Sequence, residues 1–573
     1  MTEVYVSAIT AALLVLPAVG ASDSSSLFEV REHRSLSQGQ YAEEPTLASD
    51  GRNKVWACWL SRDPGGTDSV WVCCSEAGRW SDPLRITSND ATREWPRIAC
   101  AESGTPMVVW VRIQDGKWFL ESSFYLKDRF SEPSPVGSGT GRAADPALAA
   151  SKDGSFWLAW ESYEKGAFRI RLSCFRNGKW GRPIDLTDGR TNSYNPALAV
   201  DESTGRIWVA YSAVDNRFER AIFLRCFDPR SGKLDPPVEI AVGGKVRNAP
   251  NRNDYPSVLC DESGAVWVAY EQESAARAQI PATCYHGKRE CAVVCYRGGK
   301  LFHAKPSSAD YGARDVLTGG EDFRPTLVRD AMGRLMLFSR MTRPAESYAK
   351  GEARTEYYYR VSVLDPSNGW TKPQTLLEGS EFTLGDLSRP AVAAAAGNEM
   401  WIAWQSDNIK YTGLFAKLEE FLPVVSSISA AKIALISDSA AAGPVGLEPT
   451  TAGSRTDLSA IESECRRGRP RIQRRVIESG GRKYTMITGN LHEHTSTPSS
   501  CMVPSADEGT YFDNYRYAAD VHGYDFAALT DHDFGLYYDA AWRKALRAAD
   551  FYDDPPYFCA IPAYEFSFIN TTW

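Results

Sequence analysis

Three histidines near the C-terminus stand directly behind short apolar runs. Residues 484–495 read YTMITGNLHEHT and end in the pair His492 and His494. Residues 524–533 read YDFAALTDHD, with His532 between Asp531 and Asp533, and residues 557–567 read YFCAIPAYEFS and deliver Glu565. Imidazole and carboxylate are the donors that Zn, Mn and Fe take. A His-x-His pair suits one ion because alternate residues of a short extended turn bend towards a common point. Asp531 and Asp533 are placed to orient His532 by hydrogen bonding or to bridge a second ion. This pattern points to a divalent metal site with His492, His494, His532 and Glu565 as ligands. The competing reading is structural histidines beside a solvated acidic face.

Such ligands need elements that bring them together. Between the first two runs, Asn514–His522 reads as a helix, with His522 at its end rather than in the site. Between the second and third, Asp539–Phe551 carries Trp542, Ala545, Leu546 and Ala549 at i, i+3, i+4 and i+7, an amphipathic helical face. The order strand, helix, strand, helix, strand predicts parallel strands whose C-terminal ends share one side, as at the rim of an α/β barrel.

The runs GNLHEHT, ALTDHD and AYEFS, with YRYA ahead of the second, resemble the opening of the PHP (polymerase and histidinol phosphatase) domain. The resemblance covers residues 484–573. It implies a distorted barrel holding up to three metal ions and hydrolysing phosphate esters, with His492 and His494 in the first motif, His532 in the second and Glu565 in the third. The family's later ligands, two more histidines and a final Asp-x-His, have no counterpart. The segment therefore reads as the N-terminal part of such a domain, and the chain as a fragment.

The rest of the chain reads differently. A unit running from Pro through an apolar strand and a polar turn to a strand ending in an aromatic residue recurs at Pro45, Pro96, Pro146, Pro196, Pro256, Pro325 and Pro390. Several units close on a second signature, such as GRWSDP at 78–83 and GKWGRP at 178–183. Seven units, each long enough for four short strands, predict a seven-bladed β-propeller over residues 40–418, with each Pro starting an innermost strand and the blade tryptophans in the core. The unit resembles blades of sialidase-like and TolB-like propellers. Glu161 and Glu271 fall at the ends of second strands, where solvated loop positions are expected.

Composition bounds the remainder. The chain has 573 residues and a net charge of −8. Residues 484–573 alone hold 4 Arg/Lys against 13 Asp/Glu, or −9, which suits cation capture and argues against a nucleic-acid surface. The run ITAALLVLPAV at 9–19 predicts a signal peptide over 1–21 and hence export, and no later run is long enough to be a transmembrane helix. Thirteen cysteines leave at least one unpaired; Cys284, Cys291 and Cys295 are close enough in sequence to include a loop disulfide. Residues 419–483, including the basic run RRGRPRIQRR, read as a partly disordered linker. Two functions follow. One is a metal-dependent hydrolase with one to three divalent ions and a phosphoester substrate, fused to a propeller. The alternative is a non-catalytic propeller that binds a glycan or protein. A propeller glycosidase is a third class, needing an arginine cluster and paired acids that the sequence does not place.

Overall fold

The computed structural model describes residues 27–566 apart from 275–287, 305–321, 345–354, 377–388, 408–425, 437–444, 450–473, 496–509, 532–538 and a few shorter stretches. The expected leader at 1–21 and most of the basic run lie outside the described residues. Seven antiparallel blades form a β-propeller, the fourth and fifth joined into one sheet by a parallel bridge between Arg220 and Arg252. Their innermost strands are Tyr41–Ser49, Thr92–Cys100, Arg142–Ala150, Ser193–Asp201, Arg252–Cys260, Asp322–Arg329 and Ala391–Ala394. Each neighbours the next, and the last neighbours the first, so the ring is closed. The Gly-x-Trp signature is the turn into a two-residue outer strand, as at Arg79–Trp80 and Lys179–Trp180. Its aromatic residue then packs against the neighbouring blade: Trp80 meets Trp401 edge-on at 5.0 Å, and Trp180 donates to Ser122 Oγ at 2.9 Å.

In the first six blades the repeat proline lies in the middle of the innermost strand, not at its start as expected. At each of these prolines the ladder slips by one residue, for example between Glu43 and Thr46 and between Tyr194 and Ala197. The preceding residue takes a left-handed φ: Glu44 55°, Trp95 51°, Asp145 37°, Asn195 51°, Tyr255 50° and Arg324 56°. Proline has no N–H to give the ladder, so a bulge is where a strand tolerates it.

Ring closure also moves the propeller's boundaries. Blade seven is ordered Ala391–Ala394, Glu399–Asp407, Ser426–Leu435 and Phe28–Ser35, so its outer strand comes from the N-terminal end. The propeller therefore extends past both expected limits, and the Ala/Ser-rich stretch read as linker is its third strand. The reason is packing. Ala430, Ala431 and Ala434 are wholly buried, in a sheet wedged between blades six and one where small side chains fit. Further along, Leu447–Pro449 pairs with the outer strand of blade five. Cys291 and Cys295 are buried free thiols, and Cys284 lies outside the described residues.

The C-terminal unit has the expected order. Strands Gly489–Asn490, Phe526–Leu529 and Cys559–Pro562 form a three-stranded parallel sheet, with helices Tyr511–Tyr517 and Asp539–Tyr552 between them. The first helix starts at Thr510, which makes a reciprocal capping box with Asp513, and widens into a π-turn over Ala518–His522. The second buries Ala541, Ala545, Ala548, Ala549 and Tyr552, whereas Leu546, expected on that face, is 38% exposed. Among the described residues this unit is a short α/β sheet and not a barrel, and no helix is long and apolar enough to cross a membrane.

Phe28 is the buried anchor of the closing strand, packed with Met336, Tyr359, Ile433 and Leu435. Phe28→Ala is expected to cost about 3–5 kcal/mol in denaturant unfolding. Val30→Ala, at an exposed position of the same strand, should stay within about 0.5 kcal/mol of wild type.

Candidate functional site

The first and third of the parallel strands deliver His492, His494 and Glu565 to one point. His492 Nε2 and His494 Nε2 are 3.1 Å apart, and Glu565 Oε2 lies 3.0 Å from His494 Nε2 and 3.2 Å from His492 Nε2. Ligands about 2.0–2.2 Å from a common ion stand roughly 3.0–3.5 Å from each other, so these donors fit a divalent cation in spacing and chemistry. His494 is the inner ligand at 11% side-chain exposure; His492, at 66%, faces solvent. His532 and Asp533 lie outside the described residues.

The loop that carries the histidine pair is held on both sides. Gly489 runs so close to its neighbour that a Cβ would strike the Phe526 carbonyl. Thr530 N donates to Glu493 O at 2.6 Å, and Asn490 Oδ1 accepts from His492 N at 3.1 Å. Asp531 is 1% exposed and grips Thr495, accepting from its N–H and its Oγ1, both at 2.7 Å. The Asp531 carbonyl also accepts from Glu565 N at 3.0 Å. One residue thus ties the histidine loop to the glutamate.

The rest of the unit is a plug in the propeller mouth, which sequence reasoning missed. Phe512, Tyr515, Phe551 and Tyr552 share a buried cluster with Trp118, Tyr163, Phe168 and Tyr194 from blades two to four. Polar partners surround it. Arg516 forks onto Glu161 at 3.0 and 3.1 Å and lies 4.1 Å above the Tyr194 ring. Arg547 reaches Glu94 at 2.8 Å and Asp68 at 3.0 Å, and Lys544 reaches Glu44 at 3.0 Å. Asp513 accepts from Arg324 at 3.2 Å and from the Tyr255 hydroxyl, and Asp520 from Asn192 at 2.7 Å. The carboxylates Glu43, Glu44 and Glu94 lie close enough to suggest a second cation site. Arg62, Lys544 and Arg547 answer them, so they are ion-pair partners.

Glu161 and Glu271, expected at solvated loop ends, are 0% and 3% exposed within their strands. Each accepts from the bulge amide of the next blade: Glu161 from Asn195 N at 2.7 Å, Glu271 from Arg324 N at 3.2 Å. Glu44 does the same for Trp95 N at 3.0 Å. The six bulge residues, Glu44, Trp95, Asp145, Asn195, Tyr255 and Arg324, and the pre-proline Arg389 of blade seven line one central cavity of about 340 Å³. The helices of the C-terminal unit cover it. The repeated x-Pro step was visible in the sequence; that x points inward was not.

No family model matches the chain, and no curated protein matches it. Several solved structures are similar to part of the chain. A protein of unknown function from Dyadobacter fermentans is 14% identical, with a TM-score of 0.41 over 61% of this chain and 96% of that one. An ulvan lyase bound to a GlcA–Rha3S saccharide is 9% identical, with a TM-score of 0.42 over 68% and 93%. An α-L-arabinanase from Penicillium chrysogenum with arabinobiose is 13% identical, with a TM-score of 0.37 over 60% and 95%.

The plug carries its own pH dependence. Burial pushes the Asp520 carboxyl up from 3.8 to about 7, opposed by the Asn192 hydrogen bond and reinforced by the charge of Glu161. The folded state therefore holds this proton more tightly than the unfolded chain does. The stability from this group is full below about pH 4 and is lost as pH rises through 7. Asp520→Asn should match wild type near pH 4 and exceed it at pH 8 by about 1–3 kcal/mol, as denaturant unfolding at the two pH values will show.

Proposed function

We propose that the C-terminal unit binds one divalent ion, Zn, Mn or Fe, through His492, His494 and Glu565, and that the protein is a metal-dependent hydrolase seated on a propeller. The observation that supports this is the three donors 3.0–3.2 Å apart at the C-terminal ends of parallel strands. A bound ion would supply Lewis acidity to an ester or amide bond. His494 and Glu565 would hold it from the protein side, His492 from the solvent side, and Asp531 would keep the two loops in register. His532 belongs to the same proposal as a further ligand, and Asp533 as its neighbour. A phosphoester is the substrate that the motif resemblance implies. It has no further support, because no family model matches and the described residues form three parallel strands instead of a barrel.

A second reading, a non-catalytic propeller that binds a glycan, is supported by the central cavity. Its lining places the rings of Trp95 and Tyr255 beside carboxylates, an amide and arginines. A sugar needs such a mixture of stacking faces and hydrogen-bonding groups.

Titration calorimetry of the full chain with Zn²⁺ or Mn²⁺ tests the first reading. One equivalent should bind, His492→Ala with His494→Ala should abolish binding, and Asp531→Ala should weaken it about 10–100-fold. Unchanged affinity in the double-histidine variant would sink the site. Glycan-array retention that survives in that variant, with no hydrolysis of a generic phosphoester by wild type, would favour the second reading.

A further inference from the structure

The C-terminal unit is entered through a hairpin that lies open to solvent. Strands Val476–Ser479 and Arg482–Thr485 are joined by Gly480 and Gly481, both at the left-handed φ that such a two-residue turn requires. All eight strand residues are exposed, and the pair forms a sheet of its own among the described residues. Val476 at 54%, Ile477 at 45% and Tyr484 at 50% are large apolar side chains left in water. The base is fixed by an ion pair from Arg474 to Asp525 and by Met486 N donating to the Arg475 carbonyl at 2.8 Å. An isolated two-stranded hairpin is marginal in water, and an exposed strand edge is a template for another strand. This edge carries neither a proline nor a break in its ladder to discourage pairing.

The hairpin's hydrogen-bond phase sets what its outer edge offers. Arg475 is bonded to Met486, so by alternation Arg475, Ile477 and Ser479 spend their backbone groups inside the hairpin. The N–H and C=O groups of Arg474, Val476 and Glu478 therefore point outwards. Opposite residues in a sheet share a face, so two copies of this strand can pair about a two-fold axis only where a residue meets its own counterpart. Centred on Arg474 or Arg475, the pairing opposes two arginines; centred on Glu478, two glutamates; centred on Ile477, it forms no ion pair. Centred on Val476, it sets Arg474 opposite Glu478 of the second copy, twice. Lys483 already reaches Glu478 at 3.3 Å, so charges then alternate across the joined sheet.

We propose that this hairpin is an interface for a second copy of the chain: residues 474–479 of two molecules pair antiparallel, centred on Val476, into one four-stranded sheet. The outward backbone groups of Arg474, Val476 and Glu478 supply the ladder, and the two Arg474–Glu478 pairs select the register. A strand pairing this short buries less than the roughly 1,000 Å² of a stable interface, so the dimer is reversible and concentration-dependent.

Sedimentation velocity of the full chain over a concentration series tests this. Wild type should pass from monomer to dimer as concentration rises, and added salt should weaken the dimer. Val476→Pro removes an outward N–H and leaves the hairpin's own ladder intact; it should weaken association about tenfold or more. Glu478→Arg and Arg474→Glu each oppose like charges and should stay monomeric, alone, where wild type associates. Mixed in equal amounts they should form a heterodimer, because each copy then meets its opposite charge. A hairpin with a structural role alone gives variants that behave the same mixed or apart. Wild type that stays monomeric throughout overturns the proposal; slow amide exchange at Val476 would then show that the chain covers its own edge. Dimers that persist in Val476→Pro and in both charge variants place the contact elsewhere and overturn it as well.

Discussion

A proline in the middle of an innermost strand leaves the hydrogen-bond ladder one donor short. The chain responds with a bulge, and the residue before the proline turns to a φ near +50°. That backbone region costs a residue with a side chain about 1–2 kcal/mol. The cost is offset where the displaced amide finds an acceptor. In three blades the acceptor is a buried glutamate of the preceding blade: Glu44, Glu161 or Glu271. The same hydrogen bond therefore satisfies the bulge, locks neighbouring blades together and buries a carboxylate at the propeller mouth. Much of the remaining architecture answers that buried negative charge.

The C-terminal unit supplies the answer. Its helices present Arg516, Lys544 and Arg547 to Glu161, Glu44 and Glu94, and Asp513 to Arg324. In a water-poor interface each such group is costly alone and tolerable in company. Aromatic packing of Phe512, Phe551 and Tyr552 on Trp95, Trp118 and Phe168 excludes the water that would otherwise weaken those pairs. The propeller and the α/β unit consequently share one core. The mouth that a free propeller offers to ligands is filled by the protein's own helices, and the cavity beneath them is lined by both parts.

Docking also orients the candidate metal centre. The helices face the propeller, while the ends of the parallel strands with His492, His494 and Glu565 stay partly exposed to solvent. Asp531 belongs to neither ligand loop, yet it fixes both, through its side chain to Thr495 and its carbonyl to Glu565. A site assembled from separate strand ends needs such a tie, because backbone pairing alone positions a loop less tightly than metal ligation demands.

Local patterns in the chain were sufficient for the propeller, the strand–helix alternation near the C-terminus and the convergence of His492, His494 and Glu565. Each is a periodicity or a strand-end position, and such features depend on neighbours close in sequence. The pairing of Phe28–Ser35 with Ser426–Leu435, the burial of Glu161 and Glu271, and the plug were beyond that reach. An alanine-rich strand does not look like a strand until the gap between two blades selects for small side chains. A glutamate at the end of an apolar run looks solvated until an amide from the next blade and an arginine from a helix more than 350 residues away arrive to pair with it. Those partners are set by ring closure and docking, where the free energy comes from contacts between distant segments, and only the tertiary structure decided them.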